Sequence, residues 1–257
     1  MKWRSILLLS CLLTTSASWA QKAFIYNSLQ KNGFFSISLG TSLPTGNFGK
    51  VANCTETSGS GLAVSGRALS ISGGYRLGGP LGIMARYETV QHTIQPAALA
   101  QQYPQLAGEP VKVIASAGAK GQWQSRSVML GPYVTVPLGR VAIDFRALAG
   151  QAWATCPETC VQGTVNSVEA SFRSGNQEST AIGSSLGMTL RYRLSPVVGL
   201  HMNTDYSTAT FRFNNIPLEE KLGGLTSVTT YSASRTLSMV NFSAGLTIQF
   251  RSKNRVF

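Results

Sequence analysis

The chain has 257 residues and a formal net charge of +12, yet only 12% of its residues are charged. Soluble domains carry about 25% charged residues, so this chain has too few charges to cover a water-facing surface. Its basic residues are scattered, with no Lys/Arg-rich run before the C-terminal tail, which argues against a nucleic-acid partner.

The first 20 residues have the layout of a secretory signal peptide. A basic start precedes a short leucine-rich run, and small residues occupy the positions that favour cleavage after Ala20. An alternative is a lipoprotein box that ends at Cys11, but cleavage there would leave an apolar run of about five residues, shorter than is usual. We therefore expect residues 1–20 to be removed on export and residues 21–257 to form one domain. No later stretch reaches the roughly 18 apolar residues of a transmembrane helix.

Alternation of polar and apolar residues, the period of a β-strand with two unlike faces, recurs along the rest of the chain. It defines eight segments, at residues 33–43, 68–78, 81–92, 124–138, 140–153, 180–194, 197–211 and 236–250. Three connections between them are short turns, and the other four, at 44–67, 93–123, 154–179 and 212–235, are long and polar. Short and long connections alternate, and each segment is long enough to cross a bilayer as a tilted strand. The sequence thus predicts an all-β fold, an eight-stranded antiparallel up-and-down transmembrane β-barrel.

In a strand, every second residue faces the same side, so the positions of the apolar residues in each segment predict which side chains face lipid. In the last segment Phe242, Leu246 and Ile248 alternate with small or polar residues. We expect Pro132, inside the fourth segment, to cause a bulge or a weakened ladder. Aromatic residues of the apolar parity predict two girdles at the membrane surfaces: Tyr87, Trp153 and Tyr206 on the loop side, and Tyr75, Tyr192 and Phe250 on the turn side. The alternative, a soluble lipocalin-like barrel with an apolar interior, leaves too few charges for the outside.

The opposite parity collects charged residues in the predicted lumen. They include Arg76, Arg86, Glu88, Asp144, Arg146, Arg191 and Asp205, together with Arg193, His201 and Asn203. Buried charges must pair and form hydrogen bonds, or they cost several kcal/mol each. We therefore predict a cross-barrel charge network that plugs the lumen. A basic constriction that selects small anions is the alternative.

Two stretches resemble small outer-membrane β-barrel domain proteins of Gram-negative bacteria, the OmpA/OmpX/OmpW-like superfamily. Residues 33–49, GFFSISLGTSLPTGNFG, are similar to the first strand and loop of such proteins. Residues 239–250, MVNFSAGLTIQF, resemble their terminal aromatic strand, although the assembly signal could instead end at Phe257. The resemblance implies a location in the cell outer membrane, contact with outer-membrane lipid, and recognition by the barrel-assembly machinery.

Three cysteines lie in the predicted long loops of an exported chain. The spacing of Cys156 and Cys160 permits a local disulfide that would shape the third loop and leave Cys54 unpaired. Neither histidine is close to these thiols in the sequence, and three thiols alone do not make a zinc set. We expect no metal and no cofactor.

No catalytic residues are assigned from the sequence. Outer-membrane enzymes need a histidine beside Ser or Asp at a rim, but Asp205 is four residues along the strand from His201, about 13 Å away. No Gly-x-Ser-x-Gly motif occurs. We predict that the protein is not an enzyme and has a structural or surface-interaction role through its four long loops, with an unidentified extracellular partner. The alternatives are a narrow channel or small-ligand transporter and, third, a lipid-modifying enzyme.

Overall fold

The structure, a computed structural model, describes residues 32–50, 61–95, 112–115, 121–165 and 168–250. The predicted signal peptide, Cys54 and the tail that ends at Phe257 lie outside the described residues. Over the described ranges, no helix is both long and apolar enough to cross a membrane.

The described residues form eleven β-strands and one short 3-10 helix, at Gly46–Phe48. All the strand pairings are antiparallel and join into one sheet. The strands are β1 Gly33–Thr45, β2 Ala63–Gly78, β3 Leu81–Ile94, β4 Lys112–Ala115, β5 Gln122–Leu138, β6 Val141–Cys156, β7 Thr159–Val165, β8 Val168–Ser174, β9 Gln177–Arg193, β10 Val198–Leu222 and β11 Leu225–Phe250.

Eight of these strands close into a ring, in the order β1-β2-β3-β5-β6-β9-β10-β11. Closure occurs at β11, where Ser243 faces Gly40 of β1 on one side and Asn203 of β10 on the other. A closed ring satisfies the backbone groups that an open sheet would leave at its edges. The prediction of an eight-stranded up-and-down barrel is confirmed.

The outer wall of the ring carries an apolar belt. Leu130, Leu200 and Leu246 expose 56%, 46% and 50% of their surface, although each lies inside a paired barrel strand. Five of the six predicted girdle residues, Tyr75, Tyr87, Tyr192, Tyr206 and Phe250, are also exposed, and Trp153 is half-buried. The outward parity predicted from the sequence is therefore confirmed.

Pro132 interrupts the ladder between β5 and β6 without changing its register. Leu130 faces Ala149, and the next pair along is Tyr133 with Arg146, which keeps the same register. Proline has no backbone N–H to donate, so the ladder is weakened at this point. Of the two effects predicted for Pro132, the structure shows the weakened ladder and not the bulge.

Strands β10 and β11 continue far beyond the barrel, with 25 and 26 residues respectively. Their upper halves form a ribbon that turns at Gly223 and Gly224, where φ is +55° and +89°, the left-handed region that favours glycine. Strand β8 pairs with the ribbon, β7 with β8, and β4 with β7. We call this arrangement, β4-β7-β8 with the ribbon above residue 213 of β10, the extracellular sheet.

The extracellular sheet corrects the prediction that residues 93–123, 154–179 and 212–235 are loops, since each contains strand residues. The strands were missed because the ribbon is exposed on both faces, from residue 221 to residue 232. Without a buried face, a strand has no need of alternating polarity.

Candidate functional site in the barrel lumen

Asp205, on β10, is the centre of the charge network and is 0% exposed. Its Oδ2 accepts a hydrogen bond from Nη1 of Arg86 on β3, at 2.5 Å. Its Oδ1 accepts two more from Arg146 on β6, from Nε at 2.8 Å and from Nη2 at 2.5 Å. One carboxylate therefore holds two guanidinium groups that come from separate parts of the barrel wall.

Glu88 extends the network along β3. Its Oε1 accepts from Nη2 of Arg86 at 3.1 Å and from Nδ2 of Asn241 on β11 at 2.8 Å. Both Arg86 and Glu88 are 4% exposed. The two acids and two arginines of this cluster bring their opposite charges into direct contact, as buried ions require.

A second ion pair lies closer to the turn end of the lumen. Nη2 of Arg191, on β9, donates to Oδ2 of Asp144 on β6. Oδ1 of the same carboxylate accepts from the hydroxyl of Thr135 at 2.6 Å. The Arg191 guanidinium also lies 4.5 Å from the centre of the Phe34 ring, a cation–π contact.

Six of the seven predicted lumen residues are thus joined in these two clusters. The seventh, Arg76, lies at the turn end, where its side chain forms a hydrogen bond with Tyr133. Three buried arginines meet three buried acids in the clusters, so the network is balanced within itself.

Uncharged residues that the sequence did not single out complete the network. Thr189 accepts from Nη1 of Arg146 and donates to Oδ1 of Asn203 at 2.7 Å. A Cβ on Gly187 would come within 1.9 Å of Asp205 Oδ1, so this glycine makes room for the ion pair. Inward parity is the signal that could have found the polar residues, and a glycine inside a strand is the signal for the close approach.

An apolar cluster, which we call the lumen cap, fills the barrel above the charge network. It is built around Phe48, Trp123, Phe211 and Phe213, and all four are at most 4% exposed. Phe48, from the 3-10 helix after β1, packs edge-on against the Trp123 ring at 5.7 Å. The sequence does not reveal the cap, because Phe48 and Phe213 lie in segments predicted to be loops.

His92 belongs to the wall of the lumen cap and is 1% exposed. Its Nδ1 donates to the carbonyl of Val64 at 2.8 Å, and its Nε2 accepts from the Ser42 hydroxyl at 3.1 Å. It lies above the loop-side girdle, and its burial lowers its pKa below the usual range, an effect that the bond to Val64 partly offsets. The Phe48 ring, 5.1 Å from the imidazole, covers this Ser–His pair.

Two voids between the side chains of the described lumen are small. One, of about 10 Å³, lies beside Arg191 and Asp144, and the other, of about 20 Å³, lies between Glu88 and the lumen cap. A cavity needs a volume of about 10–15 Å³ to hold one water molecule. Each void has room for about one water, far less than a hydrated ion needs.

The predicted disulfide is not formed in the structure, where Cys156 and Cys160 are both free thiols. Cys156 packs against the lumen cap, whereas Cys160 lies on β7 with its Sγ 4.0 Å from Ser171 Oγ on β8. Cys160 lies on β7, within a predicted loop, and β7 pairs with β4 and β8 instead of with the strand that carries Cys156. Burial raises the pKa of the Cys156 thiol to about 11.

No group of three or more His, Cys, Asp or Glu side chains that could hold a metal occurs in the described part of the chain. His201, the other histidine, is occupied at Nδ1 by the hydroxyl of Thr247 at 2.8 Å. Asp205 meanwhile engages two arginines, so these residues do not form the pair that acid–base catalysis would need.

Several solved structures of outer-membrane proteins are similar to this chain at low identity. The crystal structure of Neisserial surface protein A (NspA) aligns with a TM-score of 0.46 and 14% identity, over 85% of this chain and 97% of that chain. For Ail of Yersinia pestis the TM-score is 0.40 and the identity 11%, over 85% and 99%. For the protease OmpT of Escherichia coli they are 0.43 and 9%, over 86% and 98%. No protein-family model matches the chain, and no curated protein matches it.

The class of this protein follows from the physical features of its structure, independently of these similarities. A closed ring of strands with an apolar outer belt, aromatic girdles and a polar interior is the arrangement that lets β-strands cross a bilayer. The chain is an outer-membrane β-barrel protein, located in the cell outer membrane.

Proposed function

We propose that the protein is a non-conducting, non-enzymatic outer-membrane protein that presents its extracellular sheet to a partner outside the cell. The observation that carries the proposal is the contrast between the two ends of the same strands. Within the barrel their side chains fill the lumen at two levels, with the charge network at membrane depth and the lumen cap above the loop-side girdle. Above the membrane the same strands extend into a sheet with large exposed surfaces.

A plugged lumen disfavours the channel alternative, because ions would have to break several charge-assisted hydrogen bonds and displace four aromatic rings. The extended strands favour a surface role, since long strands outside the bilayer contribute nothing to crossing it. Exposed apolar side chains on the sheet, Leu222, Leu225 and Val228, supply the kind of surface that proteins use for contact.

Removing the ribbon without opening the barrel tests the proposal. Phe213 and Ala233 face each other across β10 and β11, so residues 214–232 can be replaced with a two-residue Asn-Gly turn, which suits an antiparallel hairpin. Strand β8 loses its pairing with β10 in this variant and keeps only β7, so β4-β7-β8 is no longer joined to the ribbon.

Purified wild type and the shortened variant are compared as bait against cell-surface and matrix proteins, with heat-modifiable gel mobility as the check on barrel folding. We expect a folded barrel in both and capture of a partner by the wild type alone. Equal capture by a folded shortened variant would contradict the proposal, because binding would then lie elsewhere on the protein.

A further inference from the structure

The turn end of the barrel carries arginines but no carboxylates beside them. Arg76, Arg140 and Arg193 lie in or next to the three tight turns, at residues 79–80, 139–140 and 194–197. By position in the chain, each of the ten Asp and Glu residues lies instead in a strand or in a segment that connects strands at the loop end. Asp144 comes nearest to a turn in the sequence, and it is buried and paired with Arg191. The turn end therefore has positive charge and no acidic residue of its own.

Arg140 and Arg193 are neighbours at the ends of adjacent strands. Strands β6 and β9 pair from Val141 with Tyr192, and beyond that pair the backbone N–H of Arg193 donates to the carbonyl of Arg140 at 2.9 Å. Neither side chain takes part in the ion pairs found within the described ranges. Arg140 is exposed and Arg193 is half-buried. Like charges on neighbouring strands repel each other, so this pair favours the binding of an anion.

The outside of the same turns is apolar. Leu77, Leu138 and Leu194, one beside each turn, expose 71%, 57% and 55% of their surface. Leu77 and Leu194 each lie two residues beyond a tyrosine of the turn-side girdle. Exposed leucines next to a girdle place the turns at the lipid surface, and turns of two to four residues do not extend far into water. The anions nearest to Arg140 and Arg193 are therefore lipid headgroups.

We propose that Arg140 and Arg193 together bind the phosphate of an anionic phospholipid in the leaflet at the turn end of the barrel. Guanidinium groups form charge-assisted, bidentate hydrogen bonds with phosphate oxygens, and basic residues at a membrane surface attract lipids with a net negative charge. A zwitterionic headgroup binds less well, because it brings its own cation close to the two arginines. The site lies at the opposite end of the barrel from the extracellular sheet, so the inference goes beyond the proposed function and does not depend on it.

Native mass spectrometry with a defined pair of lipids tests this site. The purified protein in detergent receives equal amounts of phosphatidylglycerol, which is anionic, and phosphatidylcholine, which is zwitterionic, and the one-to-one adduct of each lipid is measured. Two variants are made, Arg140→Gln with Arg193→Gln, and Arg140→Lys with Arg193→Lys. The matched control, Arg173→Gln with Lys221→Gln, removes two positive charges at exposed positions of the extracellular sheet. Heat-modifiable gel mobility verifies that each protein is folded.

The wild type and the control should bind phosphatidylglycerol in preference to phosphatidylcholine by about fivefold or more, as expected for basic residues next to an anionic headgroup. The glutamine variant should lose most of this preference, because neutral amides do not attract the negative charge. The lysine variant should keep more of the preference than the glutamine variant does, since lysine binds phosphate as a point charge. Recovery with lysine separates the loss of charge from a loss of structure.

Equal adducts of the two lipids on the wild type would overturn the inference, and so would a preference that the glutamine variant keeps or that the control loses. Sedimentation of each protein with insoluble peptidoglycan, an anionic polymer of the cell wall, is measured in parallel. Binding of the wild type but not of the glutamine variant to peptidoglycan, without any lipid preference, would refute the lipid site and assign the two arginines to the cell wall.

Discussion

Asp205 is the residue on which the largest number of charges depends, because it alone contacts both Arg86 and Arg146. Asp205→Ala leaves two buried guanidinium groups without that carboxylate, and we expect a loss of about 3–5 kcal/mol in the free energy of unfolding. Thermal unfolding followed by heat-modifiable gel mobility measures it. The matched control is Glu178→Ala, which breaks the exposed pair with Arg126 and should cost less than about 1 kcal/mol. Equal losses in the two variants would contradict the charge network.

The two described cysteines should differ in reactivity. The pKa of Cys156 is raised to about 11 by burial, so at pH 8 its thiolate population is more than about 10²-fold below that of an ordinary thiol. We expect Cys156 to be alkylated much more slowly than Cys160 in the folded protein and at a similar rate in urea, as read by peptide mass spectrometry. A disulfide bond between Cys156 and Cys160 in protein isolated from the cell envelope would contradict the free thiols and would support the disulfide predicted from the sequence.

His92 should make stability depend on pH. Burial lowers its pKa in the folded state, so the folded protein favours the neutral ring, and the unfolded chain binds more protons between that pKa and about 6.5. The contribution is complete above pH 6.5 and is lost as the pH falls towards the folded-state pKa. We expect the melting temperature of the wild type to fall more between pH 7.5 and pH 5 than that of His92→Gln. Parallel pH curves for the two proteins would show that His92 contributes nothing.

At the scale of residues, the alternation of polar and apolar positions in the sequence was sufficient to assign the charged side chains to the lumen. Arg86, Glu88 and Asp144 could be assigned to the lumen because a strand wall alternates between two unlike media. The lumen cap could not be predicted, since Phe48 and Phe213 reach the interior from segments without alternation. Their positions depend on how the segments outside the predicted strands fold back into the barrel. The local alternation of polar and apolar residues does not encode this folding.

At the scale of elements, the two ends of β11 face different surroundings. Leu246 lies in the apolar belt, and Leu225 lies at the top of the ribbon, yet both are exposed. Leu246→Arg should cost about 2–4 kcal/mol, because it places a cation against lipid near the bilayer midplane. Leu225→Arg, the same change on the same strand, should cost almost nothing, because that side chain already meets water. Urea-dependent folding into lipid vesicles compares the two, and equal costs would refute the assigned position of the belt.

The eight barrel strands were predictable to within a few residues at their membrane portions because each has one face in lipid and one in a polar lumen. Strands β4, β7 and β8 were not, and neither were the upper halves of β10 and β11. From residue 221 to residue 232 the ribbon is exposed on both faces and is held by backbone pairing instead of a buried apolar face, so its sequence carries no period. Sequence alternation predicts strands only where burial imposes it.

At the scale of the whole molecule, an eight-stranded ring encloses a space that side chains just fill. Here they fill it in two layers, with three ion pairs centred on Asp205 and Asp144 below and the aromatic lumen cap above. Two voids of about 10 and 20 Å³ among these side chains have room for single waters. The barrel is thus a closed support for the extracellular sheet, and its closure is the central claim.

Planar-bilayer recording of the purified wild-type protein tests that claim most directly. The closed lumen predicts no steady conductance across the bilayer, at neutral pH and in high salt, even after insertion is verified by heat-modifiable mobility of the recovered protein. Stable openings on the nanosiemens scale from the wild type would contradict the closed lumen and would favour the channel alternative.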